Sequence, residues 1–504
     1  MNHNLFFHIE RSAPGDPRKP LLIADDGTRV SWREMHELSA RYAALLVALG
    51  LQRGDRVAVQ VEKSPQSLSF YLACLRAGMV YLPLNTAYQR AELGYFLSDA
   101  QPRLVVCRPN SEAEMRGLAG DAMVFTLDDE GRGSLTDAAR DRAPVFETAQ
   151  VAAGDLAAII YTSGTTGRSK GAMLTHRNLL SNAQVLVQAW GFDAGDVLLH
   201  ALPMFHVHGL FVANHCALLA GACMLWHRKF EAQAVLRDLP RATVLMGVPT
   251  FYTRLLAEPA FTAQVCSNVR LFVSGSAPLL RDTFEAFERR TGQCILERYG
   301  MSEAGMIASN PLHGERRGGT VGKPLPGVSV RVADERDRPL PPGAVGGIQI
   351  RGENVFQGYW RMPQKTREEF SADGWFRTGD MGVFDADGSL SIVGRTKDLI
   401  ITGGYNVYPK EIELAIDALP GVLESAVVGL PHPDFGEAVT AMVVPRAGAT
   451  LSPAEIIQAL KGELANYKVP KHVIVVPDLP RNAMGKVQKS LLRERYTTAK
   501  PSAR

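Results

Sequence analysis

The chain has 504 residues, of which 46% are apolar and 21% charged, and a net charge of +3. That length calls for two or three subdomains with substantial cores, and so ordinary a composition leaves no room for a long disordered arm. Basic residues are interleaved with acids, as in Arg367-Glu368-Glu369 and Arg493-Glu494-Arg495, so neither a nucleic-acid stripe nor a lipid-binding cluster is present.

Taken in chain order, residues 1–16 place His8, Glu10, Arg11 and Asp16 around a short Leu5-Phe6-Phe7 patch, too brief for a signal-peptide core. The β-branched run Arg56 to Val61 followed by a helix-like Ser64 to Arg76 sets an α/β rhythm. Strands are expected again at Leu104 to Val106, Ala157 to Tyr161, Ala242 to Met246 and Leu271 to Val273, each running into a Gly, Ser or Pro-rich turn where such folds bind ligands. Between them Val197 to Trp226 is strongly apolar, but Pro203, His206, His208, Asn214 and His215 interrupt it, which suits buried core around a polar site rather than a membrane span. From Val328 the pattern turns to antiparallel strands with tight turns, such as Asp385 to Gly388, and ends at Gly394-Arg395. The remaining residues, with helices expected at Tyr408 to Ile416 and Ser452 to Leu464 and strands at Leu423 to Gly429 and Ala438 to Val444, make a compact α+β module. The cysteines at 74, 107, 216, 223, 266 and 294 never form C-x-x-C, so a reducing, cytoplasmic setting is expected rather than a disulfide framework or zinc site.

The first chemical signal is the loop from Tyr161 to Gly171. Gly164 and Gly167 let backbone N–H groups approach phosphate oxygens, Thr162, Ser163, Thr165 and Thr166 supply hydroxyls, and Lys170 adds positive charge. Ser169 stands where a Walker loop needs glycine before its lysine, so this is a different phosphate loop. A solvated Ser/Thr turn is the alternative.

Four further segments follow in order: Arg298 to Glu303, Gly374 to Asp380, Gly394 to Asp398 and Pro480 to Lys486. With the loop they resemble the adenylate-forming superfamily of acyl-CoA synthetases, peptide-synthetase adenylation domains and luciferases. The resemblance implies an α/β fold: a large N-terminal adenylate-forming domain of packed sheets and helices with a β-rich part, residues 1–396, and a small mobile C-terminal α+β domain, residues 398–504, with a hinge at Lys397. ATP, Mg²⁺ and coenzyme A follow as cofactors. Two unit charges ~4 Å apart at an effective dielectric of ~20 repel by ~4 kcal/mol, so a carboxylate attacking the α-phosphate needs cations nearby. The resemblance gives Glu303 and Thr165 to Mg²⁺, and Lys486 to the reacting carboxylate and α-phosphate, with its acetylation by a regulatory lysine acetyltransferase and deacetylase as an off switch. It gives Asp380 and Arg395 to the ribose or phosphate, Tyr299 to the adenine face, and Ser276, Ala277, Glu297 and Ser302 to the nucleotide surroundings. Gly404 lies in the loop that lines the pantetheine tunnel.

Leu202 to Leu210, Met246 to Arg254 and Ser274 to Pro278 are similar to segments of malonyl-CoA and methylmalonyl-CoA synthetases. That narrower likeness implies a short dicarboxylate held by Arg254 and Ser276, with His206 as the gating and catalytic histidine and Val207, His208 and Met306 around the acyl chain. A guanidinium fork suits a carboxylate that must leave water, although an arginine beside an apolar run also snorkels to the surface, and either histidine could satisfy a core carbonyl instead. A stand-alone enzyme loading a carrier protein, an acyl-CoA synthetase for another short acid and a non-catalytic ATP-binding module are the alternatives.

Overall fold

The computed structural model describes residues 2–162, 169–403, 405–482 and 485–498. Contacts divide the chain into two compact units: Met1–Ser329 with Ile350–Phe376, and Val330–Gln349 with Arg377–Arg504.

The first unit is built on two sheets. In a six-stranded sheet the order is Met123–Thr126, Leu104–Cys107, Arg56–Gln60, Val80–Pro83, Leu156–Thr162 and Lys170–Thr175, all neighbours parallel except the last pair. Its strands read as continuous apolar runs because helices cover them, among them Arg90–Ala100, which packs Leu93, Phe96 and Leu97 on Val105 and Ile159. The helix Pro65–Ala77 starts where its sequence says it should, with Ser64 and Ser67 capping each other reciprocally and Pro65 in the first turn. The antiparallel pair Leu156–Thr162 and Lys170–Thr175 carries the two ends of the phosphate loop.

A nine-stranded sheet runs Lys323–Pro324, Gly305–Ser309, Leu296–Met301, Leu271–Ser274, Val244–Gly247, Val197–His200, Cys223–Trp226, Pro20–Ala24 and Arg29–Ser31. The five strands from Leu296–Met301 to Cys223–Trp226 are parallel, so the ends of Val197–His200, Val244–Gly247 and Leu271–Ser274 open on the same edge. The apolar stretch from Val197 to Trp226 resolves into a strand, a short π-helix at His208–Ala213, a helix at Asn214–Ala220 and a second strand, with His200, His208 and His215 all buried.

In the second unit, strands Val328–Ala333, Gly346–Gly352, Phe376–Phe384 and Leu390–Arg395 form a four-stranded sheet whose outer ends belong to the first unit. A five-stranded sheet pairs Tyr405–Val407, Ile400–Thr402, Gly436–Pro445 and Val422–His432, with His472–Val475 alongside, and packs Val427, Val439 and Ala441 against Ile412, Ile416, Ile456 and Leu460 of two helices. The α/β class expected from sequence is the fold observed. Residues 330–349 and 377–395 fall in the same compact unit as the C-terminal residues, so the chain crosses between units three times.

Candidate active site

Around the phosphate loop, Ser163, Gly164, Thr165, Thr166 and Gly167 lie outside the described residues. At its ends, Thr162 Oγ1 is 3.5 Å from Glu303 Oε1, and the same carboxylate oxygen accepts the Tyr359 hydroxyl at 3.2 Å. Lys170 is buried, 3.2 Å from Glu369 and 4.1 Å above the Tyr359 ring. Tyr359 and Glu369 carry no local motif and reach these groups only through the fold. A buried Glu303 surrounded by hydroxyl oxygens suits Mg²⁺, a hard cation satisfied by one carboxylate plus phosphate oxygens and water. No cluster of three or more His, Cys, Asp or Glu competes for a metal among the described residues.

The ends of the parallel strands carry a second group. Ser276 has a φ of 70°, a left-handed conformation unusual for serine and of the kind stored at functional sites. Its hydroxyl lies 3.3 Å from His208 Nδ1. Beside it, a Cβ on Gly275 would fall 2.3 Å from the Arg298 guanidinium carbon, so glycine is what admits that side chain. Arg298 is 4% exposed, and burial pulls its pKa down to about 9. Its Nε and Nη2, His208 Nε2 and Ser274 Oγ are buried with no hydrogen-bond partner among the described residues. Native structures leave few such atoms unsatisfied, and each needs a reason. His206 is partly buried and takes the His208 N–H on its Nδ1 at 3.2 Å, while burial, then the Arg298 charge, lowers its pKa to about 4. Both histidines are therefore neutral at physiological pH, His208 being pulled well down by the same two causes. Val207 and Met306 are buried, the latter held by Asn182, which donates to its carbonyl at 2.8 Å and accepts its N–H at 3.0 Å.

Arg254, the residue expected to hold the distal carboxylate, is exposed in the last turn of the helix Pro249–Leu256. Tyr252 of that helix is buried, its hydroxyl donating to the Val273 carbonyl at 2.6 Å. The structure brings Ser276, His206, His208 and Arg298 together, while Arg254 is exposed on its helix. Arg298 lies within the Arg298 to Glu303 segment but had no assigned role. Its signal is an arginine in a strand whose neighbours Leu296, Glu297 and Tyr299 are all buried. Of the remaining nucleotide-site residues, Tyr299 and Glu297 are buried on that strand, Glu297 accepting the Gly319 N–H at 3.1 Å, while Ala277 and Ser302 are partly exposed.

The second unit gathers the rest. Asp380 and Arg395 sit opposite each other on paired strands, their Oδ1 and Nε 2.9 Å apart. Lys486 lies in a turn closed by Asn482, whose Oδ1 accepts the Lys486 N–H at 3.0 Å, with Gly485 at a φ of 73°. Burial, then the Arg395 charge, lowers its pKa to about 8, against which Asp380 pulls upward. Lys397 is in a short 3₁₀ turn, Thr396–Asp398, and Asp398 is paired with Arg493 at 2.7 Å. Gly404 lies outside the described residues.

A buried acidic group among hydroxyls in the first unit, and in the second a paired Asp and Arg on facing strands with a half-buried lysine, suit an enzyme that activates an acid with ATP. The chain belongs to the AMP-binding enzyme family, matching it over residues 9–360 and matching the AMP-binding enzyme C-terminal domain over 411–486. It is 54% identical to the ATP-bound MatB of Rhodopseudomonas palustris, with a TM-score of 0.97 and 99% of each chain covered. It is also 37% identical to the sulfoacetate–CoA ligase of Cupriavidus necator, covering 94% of each chain, and 37% identical to the mitochondrial malonate–CoA ligase ACSF3 of Mus musculus, covering 96% of this chain and 90% of that one. The chain is an AMP-forming acyl-CoA ligase that uses ATP, Mg²⁺ and coenzyme A. No helix among the described residues is long and apolar enough to cross a membrane.

Proposed function

We propose that the acid is a short dianion, malonate first and methylmalonate with it, converted with ATP and coenzyme A to the thioester, AMP and diphosphate through an acyl-adenylate. The observation that carries this is the set of partnerless polar atoms at 274, 298 and 208. Arg298 lies against Gly275, and in the tautomer whose Nδ1 accepts the Ser276 hydroxyl, His208 Nε2 joins Arg298 and the Ser274 hydroxyl as a donor. A monocarboxylate tail would leave those donors unsatisfied, at ~1 to 3 kcal/mol each, whereas a distal anion satisfies them. A buried guanidinium favours a carboxylate through two parallel hydrogen bonds and would receive the sulfonate of a sulfoacetate-like acid by the same charge complementarity. Arg254, exposed on its helix, is retained as a second cation for the distal carboxylate. Val207 and Met306 bound the chain length.

In this reading Glu303 would hold Mg²⁺, with Thr165 as the hydroxyl expected beside it, and the bound ion would supply neutralisation of the phosphate charge. Lys170 and Lys486 supply the remaining positive charge, Asp380 and Arg395 orient the ribose, Tyr299 flanks the adenine with Ser276, Ala277, Glu297 and Ser302 around it, and His206 gates the acid. Acetylation of Lys486 would remove its charge and stop adenylation. The hinge is placed at Lys397, and the cytoplasm is the proposed compartment, in keeping with six unpaired cysteines. Pyrophosphate release with ATP and either malonate or propionate tests the proposal, since the two acids differ by one carboxylate. Faster release with propionate would defeat it.

A further inference from the structure

We propose that Lys63 is a positioning residue for the acid pocket, fixing the loop from His200 to Gly209 from behind through three converging hydrogen bonds. Lys63 follows the strand Arg56–Gln60 and is 5% exposed. Its Nζ lies 2.7 Å from His200 Nδ1, 2.7 Å from the His200 carbonyl oxygen and 3.1 Å from the Leu202 carbonyl oxygen, and 4.2 Å above the Trp226 ring. No carboxylate is paired with it among the described residues, and burial draws its pKa well below the ordinary lysine value. A methionine would fill the same space without desolvating an amine, so what the amine adds is direction.

That direction is handed on. With Nδ1 accepting from Lys63, the His200 proton sits on Nε2, which donates to the Gly209 carbonyl at 3.0 Å. Gly209 belongs to the π-helix His208–Ala213, a turn type found mostly at functional sites, and packs so closely on the preceding loop that a Cβ there would lie 2.1 Å from the Pro203 carbonyl oxygen. From that turn the Leu210 N–H reaches the His206 carbonyl at 2.8 Å and His208 reaches Ser276 at 3.3 Å. An unbroken series of contacts therefore links Lys63, which touches none of the partnerless donors, to the two histidines and the strained serine that surround them.

The inference rests on the acid pocket proposed above, and the test separates the two. In the full-length enzyme, KM for malonate and KM for ATP are measured for Lys63→Met, His200→Gln and Arg298→Met by pyrophosphate release. Loss of the Lys63 donors lets the loop shift while leaving the nucleotide site alone, so Lys63→Met is expected to raise KM for the acid about tenfold and leave KM for ATP within about twofold. His200→Gln keeps an N–H for Gly209 and is expected to raise the acid KM about threefold with ATP unchanged, which supplies the decision if Lys63→Met does not fold. An acid KM that does not move, or an ATP KM that rises in step with it, overturns the positioning role. If Arg298→Met also leaves the acid KM unchanged, the pocket itself is misplaced. If only Arg298→Met raises it, the pocket stands and Lys63 is structural.

Discussion

Replacing Arg298 by Met separates function from stability in opposite directions. Removing one member of a buried, hydrogen-bonded charge pair typically costs ~3 to 5 kcal/mol, which at ~1.4 kcal/mol per tenfold is a loss of ~10² to 10³ or more in kcat/KM for malonate. Propionate never forms that pair, so its kcat/KM should hold or rise. The unliganded protein should respond the other way, because Arg298 keeps two partnerless nitrogens in the interior. Its pKa of about 9 in the fold lies well below the ordinary arginine value of the unfolded chain, so the burden of carrying its charge is fully present below about pH 9 and fades as pH rises from there towards that ordinary value. At neutral pH the neutral, similarly sized Met should therefore stabilise by ~1 to 4 kcal/mol, read as a higher urea midpoint with unchanged slope. The comparison variant Arg254→Leu, altering an exposed side chain, should lower malonate kcat/KM by less than about fivefold, as expected for a screened charge. Equal losses with malonate and propionate, or a destabilised Arg298→Met, would make Arg298 a structural residue and refute the reasoning.

Lys486→Ala should nearly abolish pyrophosphate release, by ~10² to 10³, while sparing transfer to coenzyme A from supplied malonyl-adenylate; equal loss of both half-reactions removes Lys486 from the adenylation step. With the Lys486 pKa lowered to about 8, the charged fraction falls as pH rises through that value, so single-turnover adenylation should decline between pH 7 and 9 while thioester formation from the adenylate does not follow that profile. Lys397→Pro, which fixes φ near about −65°, should slow thioester formation and leave adenylation largely intact, and similar slowing of both steps in rapid-quench experiments would move the hinge elsewhere.

Much of this was readable from local sequence because the signals are local. Ser64 and Pro65 start a helix by capping chemistry, and apolar runs such as Leu104 to Val106 and Ala157 to Tyr161 make covered strands. What escaped depends on residues far apart in sequence. Arg298 becomes conspicuous only when Gly275 and His208 close on it. Lys63 joins His200 across 137 positions, a contact that no periodicity announces.

Competition tests the central claim most directly. Enzyme, ATP, Mg²⁺ and coenzyme A are incubated with an equimolar mixture of acetate, propionate, malonate, methylmalonate, succinate and sulfoacetate, and the thioesters are quantified by mass at early times, so that their ratios report kcat/KM. Malonyl-CoA should dominate, with methylmalonyl-CoA next and acetyl-CoA and propionyl-CoA at least about tenfold lower, since each unsatisfied donor is worth ~1 to 3 kcal/mol. A mixture dominated by acetyl-CoA or propionyl-CoA would contradict the assignment of Arg298, His208 and Ser274 as the receptor for a distal anion.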